Sequence, residues 1–112
     1  MLKFIKKRYE RFTIIHVYLN QLDNDMTRAG RSQEVTMASI EMIEKKDYNY
    51  IENIFIDVKY RHRGYLRPII DYLQKSYRKL ICLPLPQHVE KFKHLGFTFY
   101  EQKGDDIYYS LG

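Results

Sequence analysis

The stretch from Tyr50 to Leu83 limits the fold more than any other part of the chain. Tyr50 to Val58 is rich in β-branched and aromatic residues and reads as a strand, and Leu80-Ile81-Cys82-Leu83 is a wholly apolar run suited to an interior strand. Between them the period changes. Leu66, Ile69, Ile70, Leu73 and Tyr77 share one face of a helix over Tyr65 to Arg78, with Arg67, Asp71, Lys75 and Arg78 elsewhere. Strand, crossover helix and strand in that order make a β-α-β unit with its two strands parallel. The loop entering the helix, Lys59-Tyr60-Arg61-His62-Arg63-Gly64, is basic and carries a glycine. A loop of this kind at a helix start can hold phosphate groups on backbone N–H donors.

The flanking segments supply more strands. Phe12 to Leu19 reads as a strand, followed by the polar stretch Asn20 to Glu34, expected as a helix or a loop. Val35 to Ile43 alternates apolar and small residues and is joined to Tyr50–Val58 by the turn Lys45 to Asn49, as in an antiparallel pair. After the β-α-β unit, Pro84 and Pro86 break the strand, and Gln87 to Leu95 makes a short helix stopped by Gly96. Phe97–Glu101 and Ile107–Leu111 form a last hairpin around Gln102-Lys103-Gly104-Asp105-Asp106. The expectation is an α/β fold in one domain over residues 1–112: a mixed central sheet with flanking helices.

The 112 residues, 45% hydrophobic and 29% charged, suit one soluble core rather than a disordered or fibrous chain. The lone Cys82 excludes an internal disulfide, and with no apolar run long enough for a membrane span the expected setting is cytoplasmic. The net charge of +5 is uneven, because Lys59, Arg61, Arg63, Arg67, Lys75, Arg78 and Lys79 stand against only Asp71 in the central segment. A polyanion, either a nucleotide-like cofactor or a nucleic acid, suits that segment.

The order of elements, with these residues in the turn, resembles the GNAT superfamily of acyl-CoA-dependent N-acetyltransferases over roughly residues 35 to 111. Two motifs carry the resemblance. Ile51-Glu52-Asn53-Ile54-Phe55-Ile56 is followed by Arg61-His62-Arg63-Gly64-Tyr65-Leu66, where the family has Arg or Gln, two variable residues, Gly, one variable residue, then Gly or Ala. Arg61 and Gly64 fit the pattern and Leu66 departs from it. Val89 to Phe97 is similar to the late helix ending in Gly-Phe, with Phe92 where the family commonly has Tyr. The resemblance implies a GNAT-like fold with acetyl-CoA as co-substrate and an amine, on a small molecule or a protein, as acceptor. It also implies that Phe55, Ile56, Arg61, His62, Arg63, Gly64, Tyr65, Leu66 and Arg67 hold the acyl-CoA.

The chemistry such a transfer needs points to further residues. A lysine-like amine has an unperturbed pKa of about 10.4, so a base must take its proton, and Glu52 and Asp57 on the central strand are the candidates. His88 and His94 lie on or near the late helix and could supply an acid in place of the tyrosine; their spacing of six on a helix sends them to different faces. His88 is the preferred one. Cys82 inside its apolar run behaves as a core residue, and the histidines and Cys82 show no metal-ligand spacing. The chain is short for the family at its N-terminal end, which suggests that a partner subunit completes the acceptor pocket in a homodimer. Asn20 to Glu34 is expected to border that pocket, its acidic residues favouring a cationic amine.

Two other classes compete. Arg63-Gly64-Tyr65 begins like an RNA-binding signature, but Leu66-Arg67-Pro68-Ile69-Ile70 turns helical where that signature requires a strand, which counts against nucleic acid. Leu66 and Phe92 would also suit a GNAT-like module that has lost its chemistry and binds protein through its eleven tyrosines.

Overall fold

The computed structural model describes residues 2–22 and 32–112, and these build one seven-stranded sheet. In chain order the elements are β1 (Leu2–Tyr9), β2 (Phe12–Leu22), β3 (Ser32–Glu44), β4 (Asn49–Ile56), α1 (Leu66–Ser76), β5 (Leu80–Cys82), α2 (Val89–His94), β6 (Thr98–Lys103) and β7 (Asp106–Leu111). Short 3-10 turns at Val58–Tyr60 and Pro86–His88 precede α1 and α2. The strands lie in the order β1-β2-β3-β4-β5-β7-β6, and only β4 and β5 run parallel. The β-α-β unit is therefore as expected, and so is the antiparallel β3–β4 pair.

Two parts of the sheet exceed the sequence expectation. Leu2–Tyr9, to which the patterning assigns no strand, pairs along its whole length with β2. β2 runs on through Leu22 and β3 starts at Ser32, so strands occupy both ends of the polar stretch expected as helix or loop. β2–β3 pairing reaches Leu22↔Ser32, and that ladder satisfies backbone groups whatever the side-chain polarity. The remainder of that stretch, with its expected place beside the acceptor, lies outside the described residues.

One face of the sheet carries the core. Ile15, Val17 and Leu19 of β2, Ile40 and Met42 of β3, Ile51 of β4 and Leu80 and Cys82 of β5 are buried together with Ile69, Ile70 and Leu73 of α1. The period-2 alternation of the strands meets the apolar stripe of the helix. Leu66 and Tyr77, on the same predicted face of α1, pack at its margins. Burying three aliphatic side chains of this kind favours docking by about 2 kcal/mol each. Leu73→Ala is expected to lower the unfolding free energy by about 3 kcal/mol, read as a lower urea midpoint at unchanged slope.

The C-terminus of α2 is closed by Gly96 at φ 102°: its N–H donates to the Lys93 carbonyl at 3.0 Å and the Phe97 N–H to the Phe92 carbonyl at 3.1 Å. The buried Phe97 ring meets Phe92 edge-on at 5.3 Å, which completes the cap with the hydrophobic contact expected of it. No helix among the described residues is long and apolar enough to cross a membrane.

Candidate active site

β4 and β5 stay together for only three pairs, Asn49↔Leu80, Tyr50↔Ile81 and Ile51↔Cys82. β4 continues to Ile56, whereas β5 stops at Cys82 and gives way to a segment holding Pro84 and Pro86, which have no N–H to donate. The strands therefore part, and a groove of about 730 Å³ opens beside Ile54, Phe55 and Ile56. The loop after β4 and the start of α1 form one wall, with Tyr60, Arg61, His62, Gly64, Tyr65, Leu66 and Arg67. His88, Lys91, Phe92, His94 and Leu95 form the other. Among these lining residues there is no carboxylate.

The loop is held by its own contacts. Asp57 accepts the Lys59 N–H at 3.1 Å and so caps the turn that follows β4. Arg61 folds back: its Nε donates to the Ile56 carbonyl at 2.7 Å and its guanidinium lies 5.5 Å over the Phe55 ring. His62 and Gly64 both have positive φ, 61° and 81°. The left-handed region is strained for histidine, and strain of this kind collects at functional sites. The Tyr60 and Tyr65 rings meet edge-on at 6.1 Å across the base of the loop.

α1 begins without a capping side chain and without an acidic residue in its first turn. The hydrogen bond from the Ile69 N–H to the Tyr65 carbonyl starts the helical ladder. Helix geometry leaves the N–H groups of Leu66 and Arg67 without intrahelical partners, and Pro68 has none to leave. The positive end of the helix dipole is thus directed at a carboxylate-free groove. Arg67 joins the two walls, donating to the His94 carbonyl at 2.9 Å.

Every residue expected to hold the cofactor lines this groove except Arg63, which is exposed on the turn beside it. Leu66, the departure from the glycine-rich pattern, is partly buried against the core at the groove's edge. His88 lines the groove, and so does His94. The spacing argument that separated them fails because α2 begins at Val89, which leaves His88 in the preceding 3-10 turn. Tyr60, Lys91, Ile54 and Leu95 also line it and were not singled out in the sequence. Lys91 could have been reached by stepping three residues back from His94 on the same helix, whereas Tyr60 depends on a turn that the pattern does not mark.

The two candidate bases separate. Asp57 is occupied as the turn's cap. Glu52 is the unpaired residue of a β-bulge, because Glu41 pairs with Asn53 and Met42 with Ile51. Bulges re-aim side chains and occur often beside active sites. Glu52 is exposed, and among the described residues no hydrogen bond or ion pair engages its carboxylate. It lies by Tyr50, whose hydroxyl is pushed above its ordinary pKa first by burial and then by Tyr108 and Glu52.

Cys82 is no nucleophile, since burial pushes its thiol up to about 12. The unfolded thiol ionises first as pH rises, so folding stability is full below about pH 9 and falls by about 1.4 kcal/mol per unit up to about 12. Cys82→Val is expected to flatten the fall of the thermal midpoint between pH 9 and 10.5. No cluster of three metal-ligating side chains occurs among the described residues.

No family model matches the chain, and no curated protein matches it. Solved structures do. The Bacillus subtilis N-acetyltransferase YlbP in complex with coenzyme A superposes with TM-score 0.63 at 12% identity, over 88% of this chain and 66% of that one. The PaiA N-acetyltransferase of Thermoplasma acidophilum, also with coenzyme A, gives 0.61 at 9% identity, over 89% and 60%.

The chain has the GNAT fold.

It spans about two thirds or less of the length of those two enzymes. A Bacillus anthracis structure in complex with acetyl coenzyme A shares the GNAT fold with TM-score 0.58 at 14% identity, over 99% of this chain and 97% of that one. Strand β4, the loop into α1 and the Gly96-Phe97 cap are this chain's versions of the elements that carried the resemblance.

Proposed function

We propose that the chain is an N-acetyltransferase that moves the acetyl group of acetyl-CoA to an amine. The observation that carries this reading is the cationic, carboxylate-free groove in the β4–β5 split, with the uncapped start of α1 at its wall. The residues fit the co-substrate. The N–H groups of Leu66 and Arg67, the Arg67 guanidinium and the Lys91 ammonium suit a pyrophosphate. The edge of β4 at Ile54 and Phe55 suits the amide-bearing pantetheine arm, which can hydrogen-bond there as a short added strand. Gly64 leaves open space in front of its Cα, with nothing within 4 Å of where a Cβ would stand.

In the transfer, the amine nitrogen attacks the thioester carbon, the carbon–sulfur bond breaks, and the thiolate leaves. Glu52 accepts the amine's proton, through water where the distance requires it. His88, on the opposite wall of the groove, can return a proton to the thiolate; a thiol of pKa about 8.5 leaves readily even unassisted. Phe92 has no hydroxyl to offer and its ring packs against Phe97, which favours a histidine as the acid. The cytoplasmic setting expected from the lone, buried Cys82 belongs to the same reading.

The test is release of free CoA thiol on incubation with acetyl-CoA and a panel of primary amines, with the acetylated product identified by mass. Amine-dependent release supports the reading. Binding of acetyl-CoA with no amine-dependent release would leave the chain as a cofactor-binding module.

A further inference from the structure

A second cavity, of about 290 Å³, lies on the sheet face away from α1. Its floor is Ile81, which alternates with the core residues Leu80 and Cys82, and Tyr50, which alternates with the core residue Ile51. Four tyrosines, Tyr48, Tyr50, Tyr100 and Tyr108, line it. Tyr48 and Tyr100 are tilted against each other at 6.3 Å, as are Tyr50 and Tyr108. Both irregular residues of the neighbouring strands are aimed here: Glu52 from the β4 bulge, and Tyr100 from a β6 bulge, left unpaired between Phe99↔Tyr109 and Glu101↔Tyr108.

The rings already hold cations. Lys79 Nζ lies 4.6 Å from the centre of the Tyr100 ring, and Lys103 Nζ lies 5.9 Å from that of Tyr108 while paired with Glu101 at 3.2 Å. Of the two, Lys103 lines the pocket, so one of its rings is used by a primary ammonium group of the chain itself, as the quadrupole of an aromatic ring favours. Lys103 compensates Glu101, while Glu52 keeps a carboxylate for an incoming cation. Lys45 stands at the wall as the remaining cation. The volume, at the small end for ligand sites, admits a slender alkyl chain rather than a nucleotide.

We infer that this tyrosine pocket is the acceptor site and takes an alkyl primary ammonium group, held between the tyrosine faces and Glu52. This deepens the acetyltransferase reading and rests on it. The position supports the link. Glu52 directly follows the last β4–β5 pair, so the pocket adjoins the point where the sheet opens, and Ile54 of the cofactor groove stands about 7 Å along the strand at 3.3 Å per residue. An amine on one face and a thioester on the other meet through that gap.

The test titrates the full chain, without acetyl-CoA, with n-butylammonium, the neutral n-butanol and the anionic butyrate, following tyrosine ring signals by NMR. Saturable binding of butylammonium, and of neither other probe, is expected. Tyr100→Leu, at an exposed position that should spare folding, is expected to weaken it about threefold, within the range for a cation–π contact at an exposed site. Lys103→Met removes the internal competitor and is expected to tighten it about threefold. Equal binding of butanol, or butylammonium binding untouched by both variants, would overturn the inference. Acetyl-CoA titration of the same samples keeps the two readings apart: cofactor binding without amine binding sinks the pocket alone, and amine binding without cofactor binding sinks the acetyltransferase.

Discussion

Arg67→Glu is expected to weaken acetyl-CoA binding by about a hundredfold, from the loss of a charge-assisted hydrogen bond worth about 1.5–3 kcal/mol and the repulsion of a new carboxylate. The reversal puts a negative charge at the start of α1, in a groove whose lining has none and where the helix dipole also favours anions. Arg67 has a second task, the hydrogen bond to the His94 carbonyl, which holds α1 to α2. Arg67→Met loses both that bond and the positive charge but adds no carboxylate, which separates the loss of the arginine from the repulsion, and should cost about tenfold. Because Arg67 is exposed, thermal midpoints of both variants should stay near that of the parent. Equal affinity in parent and Arg67→Glu would mean that the anion lies elsewhere.

The second large effect concerns the base. Glu52→Gln is expected to lower kcat by about a hundredfold near neutral pH, the low end of what a positioned base contributes, with the affinity for acetyl-CoA unchanged. The variant must wait for an amine that has already lost its proton. Its rate should therefore rise about tenfold per pH unit until the amine's pKa of about 10.4, and the gap to the parent should close over that range. Asp57→Ala provides the contrast. Asp57 caps the 3-10 turn after β4, so its loss is expected as a stability change of about 1 kcal/mol rather than as this altered pH profile. A Glu52→Gln enzyme with parental kcat at pH 7 would remove Glu52 from the chemistry.

Much of this site can be read in the sequence because it rests on local rules. The period change at Tyr65, the apolar run at Leu80 and the Gly96-Phe97 ending each have one inexpensive solution, and the chain takes all three. What the sequence conceals is set by register and by turns. Glu52 reads as one more residue of a strand, and only the pairing of Ile51 and Asn53 with Met42 and Glu41 marks it as bulged. Tyr100 is hidden in the same way on β6. His88 and His94 share a groove because a 3-10 turn replaces the first turn of a helix, which hydrophobic spacing cannot distinguish. Arg63 illustrates the converse: the motif includes it, but the left-handed residues on either side turn it out of the groove. The tyrosine pocket draws on β3, β4, β5, β6 and β7, so no sequence window contains it.

The groove proposed to hold acetyl-CoA is the centre of the account, and calorimetric titration of the full chain with acetyl-CoA tests it most directly. Saturable one-to-one binding in the micromolar range is predicted, weakened by Arg67→Glu and retained in Glu52→Gln. No heat of binding up to high micromolar cofactor, with the protein folded, would contradict the account.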